Sequence, residues 1–363
     1  MKNDNDDSVT FVTGYPEHLL ARKVLRQLLL DEQQRVACLV EERFLEQAKS
    51  DLSKIGTGAD RVEIILGDPV AMDFSLSGAA YLSLARRTRV LHHCANCSYL
   101  GASRRDAKLG TLTAAREMLE FAEAAPQLMR CVYWSTALVS GQRLGVIRED
   151  ELEDDAGFRN PIEEMHFRAE RLMHNAMHEL PIVVLRPTIL TCDSTTGEMD
   201  LNQGFLLLVR LLLNAPAEFR IPLPALGDTT LDLVPVDYAA KAGCFIAKQD
   251  MAIGKAFHLC DPNALPATEV FALLSEATGH RIATESFAGD LLGALLKFPG
   301  MQRLAPVPRS FLQQALTEVK YDSRRADSLL EASGMHCPSF RDYVMQLVDF
   351  VKQHRNSEKV ASN

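Results

Sequence analysis

The sequence predicts an α/β protein: a doubly wound parallel sheet with a smaller, mostly helical C-terminal lobe. Three observations carry that prediction. Short runs rich in Val, Ile and Leu alternate with amphipathic helical patterns through the first part of the chain, as a parallel sheet requires when each strand returns through a crossover helix. The first run, Val9 to Val12, stops at Gly14, after which Leu20, Ala21, Val24, Leu25, Leu28 and Leu29 recur at helical spacing. Past residue 260 the remaining patterns are helical.

Each element follows in order. Val36–Val40 is a second strand, Val62–Leu66 a third that runs into Gly67-Asp68, and Val90–Cys94 a fourth that runs into Ala95-Asn96. Leu128–Trp134 leads to Ser135-Thr136, and Ile182–Pro187 closes the series. Helical patterns cover 78–86, 111–124 and 161–180. Two later runs, Leu231–Val236 and Ala256–Cys260, are expected to return to the sheet, which makes the second lobe discontinuous. The division expected is 9–200 for the sheet domain and 201–230 with 261–352 for the substrate lobe, between polar tails 1–8 and 356–363 that fray. Helices are expected at Ala267–Thr278, Arg325–Ala332 and Phe340–Lys352.

With 363 residues, 47% hydrophobic and 24% charged, the chain can bury a large core. Its formal charge of -9 argues against nucleic acid or an anionic membrane as partner. The acidic start, Met1 to Ser8, is the reverse of a signal peptide. The most apolar run, Phe205–Leu213, is too short for a membrane span and is broken by Arg210. Eight cysteines, mostly in apolar runs, suit reduced thiols and a cytoplasmic address.

The opening strand–turn–helix reads as a dinucleotide-binding βαβ unit of the Rossmann type. There, three glycines let the backbone close around a pyrophosphate seated on the helix N-terminus. Only the first, Gly14, stands here; Glu17 and Leu20 occupy the other two places. A carboxylate at Glu17 satisfies the amides an anionic ligand would use and repels that ligand; alternatively it swings to solvent and a dinucleotide still binds. After the second strand, Glu41 favours the ribose of NAD and Arg43 the 2′-phosphate of NADP, so the choice stays open.

Further phrases extend the pattern: Thr13-Gly14, Gly67-Asp68, His92-His-Cys-Ala95, Ser135-Thr-Ala-Leu-Val-Ser-Gly141, Phe158 to Pro161 with Ala169-Glu170, Leu185-Arg-Pro187, Asp193 to Glu198, Leu233 to Asp237 and Phe257-His-Leu259. In these phrases and their order, nearly the whole chain resembles the extended short-chain dehydrogenase/reductases, in the branch of thioester-reductase domains and male-sterility-type fatty acyl-CoA reductases. The resemblance implies that Thr13 and Gly14 form the cofactor turn, Asp68 touches adenine, Ala95 lines the nucleotide groove and Pro187 sits near a nicotinamide. It also implies a proton-donating tyrosine and, four residues later, a lysine. Those places hold Ile162 and His166 here, and the asparagine expected before Gly110-Thr111 is Ala107. Thr136 keeps the serine/threonine place.

Three functions follow. The first is a catalytically degenerate member that binds a small apolar or acyl-type ligand, or a partner protein, in an accessory role. The second is an NAD(P)-dependent reductase of a carbonyl or thioester with a rearranged site using Thr136 and His166; Tyr133 is a further acid to consider. A lyase or isomerase using His166 as base, without hydride transfer, is a third. No metal is expected: His92-His93-Cys94 with Cys97 lacks a second ligand pair, and Glu170, His174 and His178 read as a solvated or subunit-facing stripe. Helix 161–180 is the face expected for a homodimer. Leu291–Gly300 reads as either a pocket lining or lobe packing.

Overall fold

The structure is a computed structural model and describes residues 7–96, 101–200, 204–214, 220–221, 229–282 and 317–354. Seven parallel strands form its centre: β1 (Val9–Thr13), β2 (Val36–Val40), β3 (Val62–Leu66), β4 (Thr88–His93), β5 (Arg130–Trp134), β6 (Ile182–Pro187) and β7 (Lys255–Leu259). Their order across the sheet is β7-β6-β5-β4-β1-β2-β3. The chain winds outward from β1 in both directions, so the crevice between β1 and β4 is the switch point where ligands meet such sheets.

Side-chain alternation builds two cores. Val12, Cys38, Val132, Trp134, Leu185 and Phe257 face one side, while Phe11, Leu39, Tyr133, Val184 and Ala256 face the other. Helices α1 (Leu19–Leu28) and α8 (Val236–Ala247) pack on the first side, joined by α7 (Gly204–Asn214), α9 (Ala267–Thr278), α10 (Arg324–Glu331) and α11 (Phe340–His354). On the second side lie α3 (Gly78–Arg87), α5 (Ala114–Ala124) and α6 (Pro161–Ala176). A short α4 (Arg104–Ala107) enters α5 through a π-helical turn, Lys108–Thr113, and α2 (Leu45–Ile55) follows β2. Gly243 on α8 has no alternative: a Cβ there would lie 2.3 Å from Trp134.

Three expectations change. Leu231–Val236 does not join the central sheet; it splits into Thr230–Leu231, antiparallel to Leu265–Pro266, and Leu233–Val234, parallel to Ile189–Leu190. Asp232 sits between the halves, and its polar side chain interrupts the strand. Helix 161–180 ends at Ala176, and a turn follows. Glu170 and His174 stay one turn apart on α6, 3.3 Å from each other, while His178 is exposed beyond the helix end, so the three form no single stripe. No described helix is long and apolar enough to cross a membrane.

Candidate functional site

The site grows from the C-terminal ends of the strands. Gly14 follows β1 at φ +84°, and a Cβ there would stand 2.7 Å from the Ala95 amide nitrogen, so only glycine lets β1 and β4 approach this closely. The Ala95 amide donates to Thr13 Oγ1 at 3.4 Å, and the same oxygen lies 2.9 Å from His93 Nδ1. Thr13, Gly14 and Ala95 thus meet at the switch point. Farther along the edge, Glu41 pairs with Arg43 at 2.9 Å, and the Arg43 charge acts on Glu17 and Asp68 as well. The Asp68 carboxylate accepts from the Val70 amide at 2.9 Å and shapes the turn after β3. This end suits an adenosine: a carboxylate for a ribose hydroxyl and a guanidinium beside it.

The pyrophosphate seat is different. Glu17 does not cap α1, as the first of its two expected placements required; its side chain is 44% exposed and lies 3.9 Å from His18. The cap comes instead from Asp200, whose two carboxylate oxygens accept from the Leu19 amide at 2.9 and 3.0 Å. Asp200 is held there by Arg22 at 3.6 Å, and Arg22 also pairs with Glu198. One turn on, buried Lys23 bonds Asp193 Oδ2 at 2.5 Å. The Leu19 amide, at the positive dipole end that would receive a phosphate, thus already faces a carboxylate. Asp200 lies outside every quoted motif, and nothing in its local sequence marks it.

At the other end, Thr136 follows β5; its Oγ1 accepts from the Leu138 amide at 3.3 Å and caps the turn Ala137–Ser140. Pro187 ends β6, the neighbour of β5. Helix α6 packs on the turn after Thr136 and starts at Asn160, whose side chain accepts from the Glu163 amide at 3.0 Å. Ile162, only 3% exposed, lies in an apolar cluster with Ala107, Met165 and Ala169. His166 is buried one turn later. Tyr133 belongs to the same cluster, and its ring stacks on His93 at 5.8 Å. Burial pushes the Tyr133 phenol upward, so it stays protonated, and pushes His93 down to about 3, so it stays neutral. Among the described residues, neither the Tyr133 hydroxyl nor His93 Nε2 has a hydrogen-bond partner.

Several sequence phrases prove to be one cluster. Glu170 accepts from Ser135 Oγ at 2.5 Å, from Arg186 Nε at 2.8 Å and from Arg186 Nη2 at 2.5 Å, which ties α6 to the ends of β5 and β6. Burial alone would raise the Glu170 carboxyl; the Arg186 guanidinium overrides it and holds the group at about 2. Asp237 accepts from the Ser194 amide at 2.8 Å and from its hydroxyl at 2.7 Å. His92 Nδ1 lies 3.3 Å from Trp134 Nε1. Cys97 and Leu291–Gly300 lie outside the described residues.

Past Pro187 a small open cleft of about 30 Å³ lies between Leu138, Arg159, Thr188, Ile189, Asp232 and Tyr321. Its wall mixes aliphatic side chains with hydroxyls and charged groups.

The sequence matches the family described as male sterility protein over residues 12–243. Among relatives, it is 28% identical over 186 residues to the aldehyde reductase lnbA of Aspergillus flavus, covering 49% of this chain and 17% of that protein. It spans only 7 to 17% of the length of the curated relatives that it matches. Among solved structures, the terminal R domain of the myxalamid PKS-NRPS pathway superposes with a TM-score of 0.81 at 23% identity, covering 96% of this chain and 91% of that one. The reductase domain of a nonribosomal peptide synthetase from Mycobacterium tuberculosis gives 0.74 at 18% identity, covering 97% and 92%. The chain belongs to the male sterility protein family of NAD-binding domains, within the extended short-chain dehydrogenase/reductases.

Proposed function

We propose that this chain is a catalytically degenerate thioester-reductase-like domain that binds a small acyl-type ligand in its cleft and serves an accessory role. One observation carries the reading: Ile162 stands at the proton donor's place and is sealed into an apolar cluster, where it offers no proton and no hydrogen bond. The Asp200 carboxylate on the Leu19 amide supports it, because it opposes the cofactor that the reaction consumes. Leu138, Ile189, Leu231 and Val319 in the cleft wall support an acyl ligand, as do the relatives, an aldehyde reductase and synthetase R domains. We favour a small ligand over a homodimer through α6. The outward charges of that helix are already paired within the chain, Glu164 with Arg104 and Arg168, and Arg171 with Asp154.

A second reading has one observation in its favour. The buried, protonated, partnerless Tyr133 hydroxyl lies in the same cluster as Ile162, where a rearranged reductase could draw a proton. Calorimetric titration with NADH and NADPH, followed by turnover of hexanal, decides between them. No binding at millimolar cofactor is the expected result. Micromolar binding, about −8 kcal/mol, with turnover that Tyr133→Phe abolishes would overturn the degenerate reading.

A further inference from the structure

Where the chain leaves β3 it passes through the left-handed backbone region three times in a row. Asp73 (φ 51°, ψ 27°), Phe74 (φ 56°, ψ 27°) and Ser75 (φ 59°) are, among the described residues, the ones other than glycine with positive φ. The Cβ of each crowds the following carbonyl oxygen, so the run is strained. Such strain persists only where the surroundings over-determine it, and it gathers where a ligand is held. Asp73 gives its amide to the Glu117 carboxylate on α5, Phe74 is fully buried, and Ser75 is exposed.

What the turn fixes is Asp68. The Phe74 ring is the anchor, with its centroid 5.8 Å from Phe11, 5.5 Å from Phe121 and 6.2 Å from Tyr81. The Phe74 carbonyl accepts from the Asp68 amide at 3.0 Å, and Gly67 lies so near that a Cβ there would stand 2.5 Å from the same oxygen. Right-handed dihedrals at Asp73 and Phe74 would rotate that carbonyl off the amide. The Asp68 carbonyl accepts from the Ala71 amide at 3.2 Å, and its Oδ1 from the Val70 amide at 2.9 Å. Both backbone groups and one carboxylate oxygen are thus taken within the loop, and Oδ2 is the acceptor that the loop does not use. The Asp68 charge acts on the Arg43 guanidinium, which pairs with Glu41 at 2.9 Å, so the carboxylate serves the adenosine end of the crevice.

We propose that Asp73–Ser75 is a strained positioning turn that holds the Asp68 carboxylate ready to accept from the exocyclic amine of an aminopurine nucleoside such as adenosine, with the ribose toward Glu41. The three residues act through Asp68. A nucleoside held in this way needs no phosphate on α1, so the site is independent of Asp200 and of the proton donor lost at Ile162. Local stability is given up for a carboxylate whose direction is set before the ligand arrives.

Adenosine and inosine, which carry an amine and a carbonyl at the same ring position, are titrated into the full chain and followed by ligand-observed NMR. The wild type should bind adenosine and favour it over inosine about tenfold, because inosine sets an acceptor against a carboxylate. Asp68→Ala should erase that preference. Ser75→Val, whose branched side chain resists the left-handed region, should weaken adenosine about tenfold while the far-UV circular dichroism stays that of the wild type. Ser75→Gly, which enters that region freely, should bind adenosine as the wild type does. Adenosine affinity that Ser75→Val leaves unchanged while the melting temperature falls would make the turn a structural bend and overturn the proposal. An equal loss in Ser75→Gly would assign the effect to the hydroxyl and not the backbone, and would overturn it too. So would a wild type that ignores adenosine or does not prefer it to inosine. The probes carry neither phosphate nor acyl chain, so these outcomes leave the degenerate-reductase reading to its own test.

Discussion

Asp200 takes the role that Glu17 was expected to hold. Two acids lie near the start of α1, and the one that is distant in sequence reaches the Leu19 amide, because Arg22 steers it there. Replacing Asp200 with Ala should cost about 1 kcal/mol of stability as a lost helix cap. It should also raise NADPH affinity about tenfold by freeing the amide and removing a like charge, as calorimetry would show. On the proposed degenerate reading, in which donor and cofactor seat are lost independently, Ile162→Tyr with His166→Lys should remain inactive unless Asp200→Ala is added; hexanal turnover reads this. Glu170 governs the acid limit. Its carboxyl titrates near 2 in the fold against an ordinary 4.5, so the stability it confers is complete above about pH 4.5 and is lost as the pH falls toward 2. Glu170→Gln would leave the Arg186 charge buried without its partner, a loss of about 3 kcal/mol measurable by urea unfolding at pH 7.

Among the elements, α1 is fastened at both ends of its exposed turn. Lys23, buried on that helix, bonds Asp193, which also accepts from Thr195 and Thr196 and so closes the segment that delivers Asp200. Lys23→Ala strands a buried carboxylate and should lower stability by roughly 3 kcal/mol in calorimetric melting. The strands and most helices were legible because apolar periodicity is a local property: β2, β3, β6 and α9 fall within the bounds that pattern alone suggests. Periodicity misread Leu231–Val236, because it registers apolar spacing and not which neighbour a backbone finds. It also extended α6 four residues past Ala176, where the pattern persists but the helix does not.

At the scale of the molecule, Trp134, the sole tryptophan, is fully buried against α8 in the core on one face of the sheet. Its fluorescence should be blue-shifted and should shift red in one urea transition coincident with far-UV circular dichroism; separate transitions would mean that the C-terminal helices unfold apart from the sheet. The sequence by itself determined the doubly wound sheet and the switch-point turn at Gly14, since these depend on residue type and near-neighbour spacing. Only the tertiary structure decided that Asp200 sits on the Leu19 amide, that Ser135, Glu170 and Arg186 form one cluster, and that Asp232 lines a cleft. Each joins residues far apart along the chain, and a hydrogen bond between them leaves no trace in the local pattern that a sequence displays.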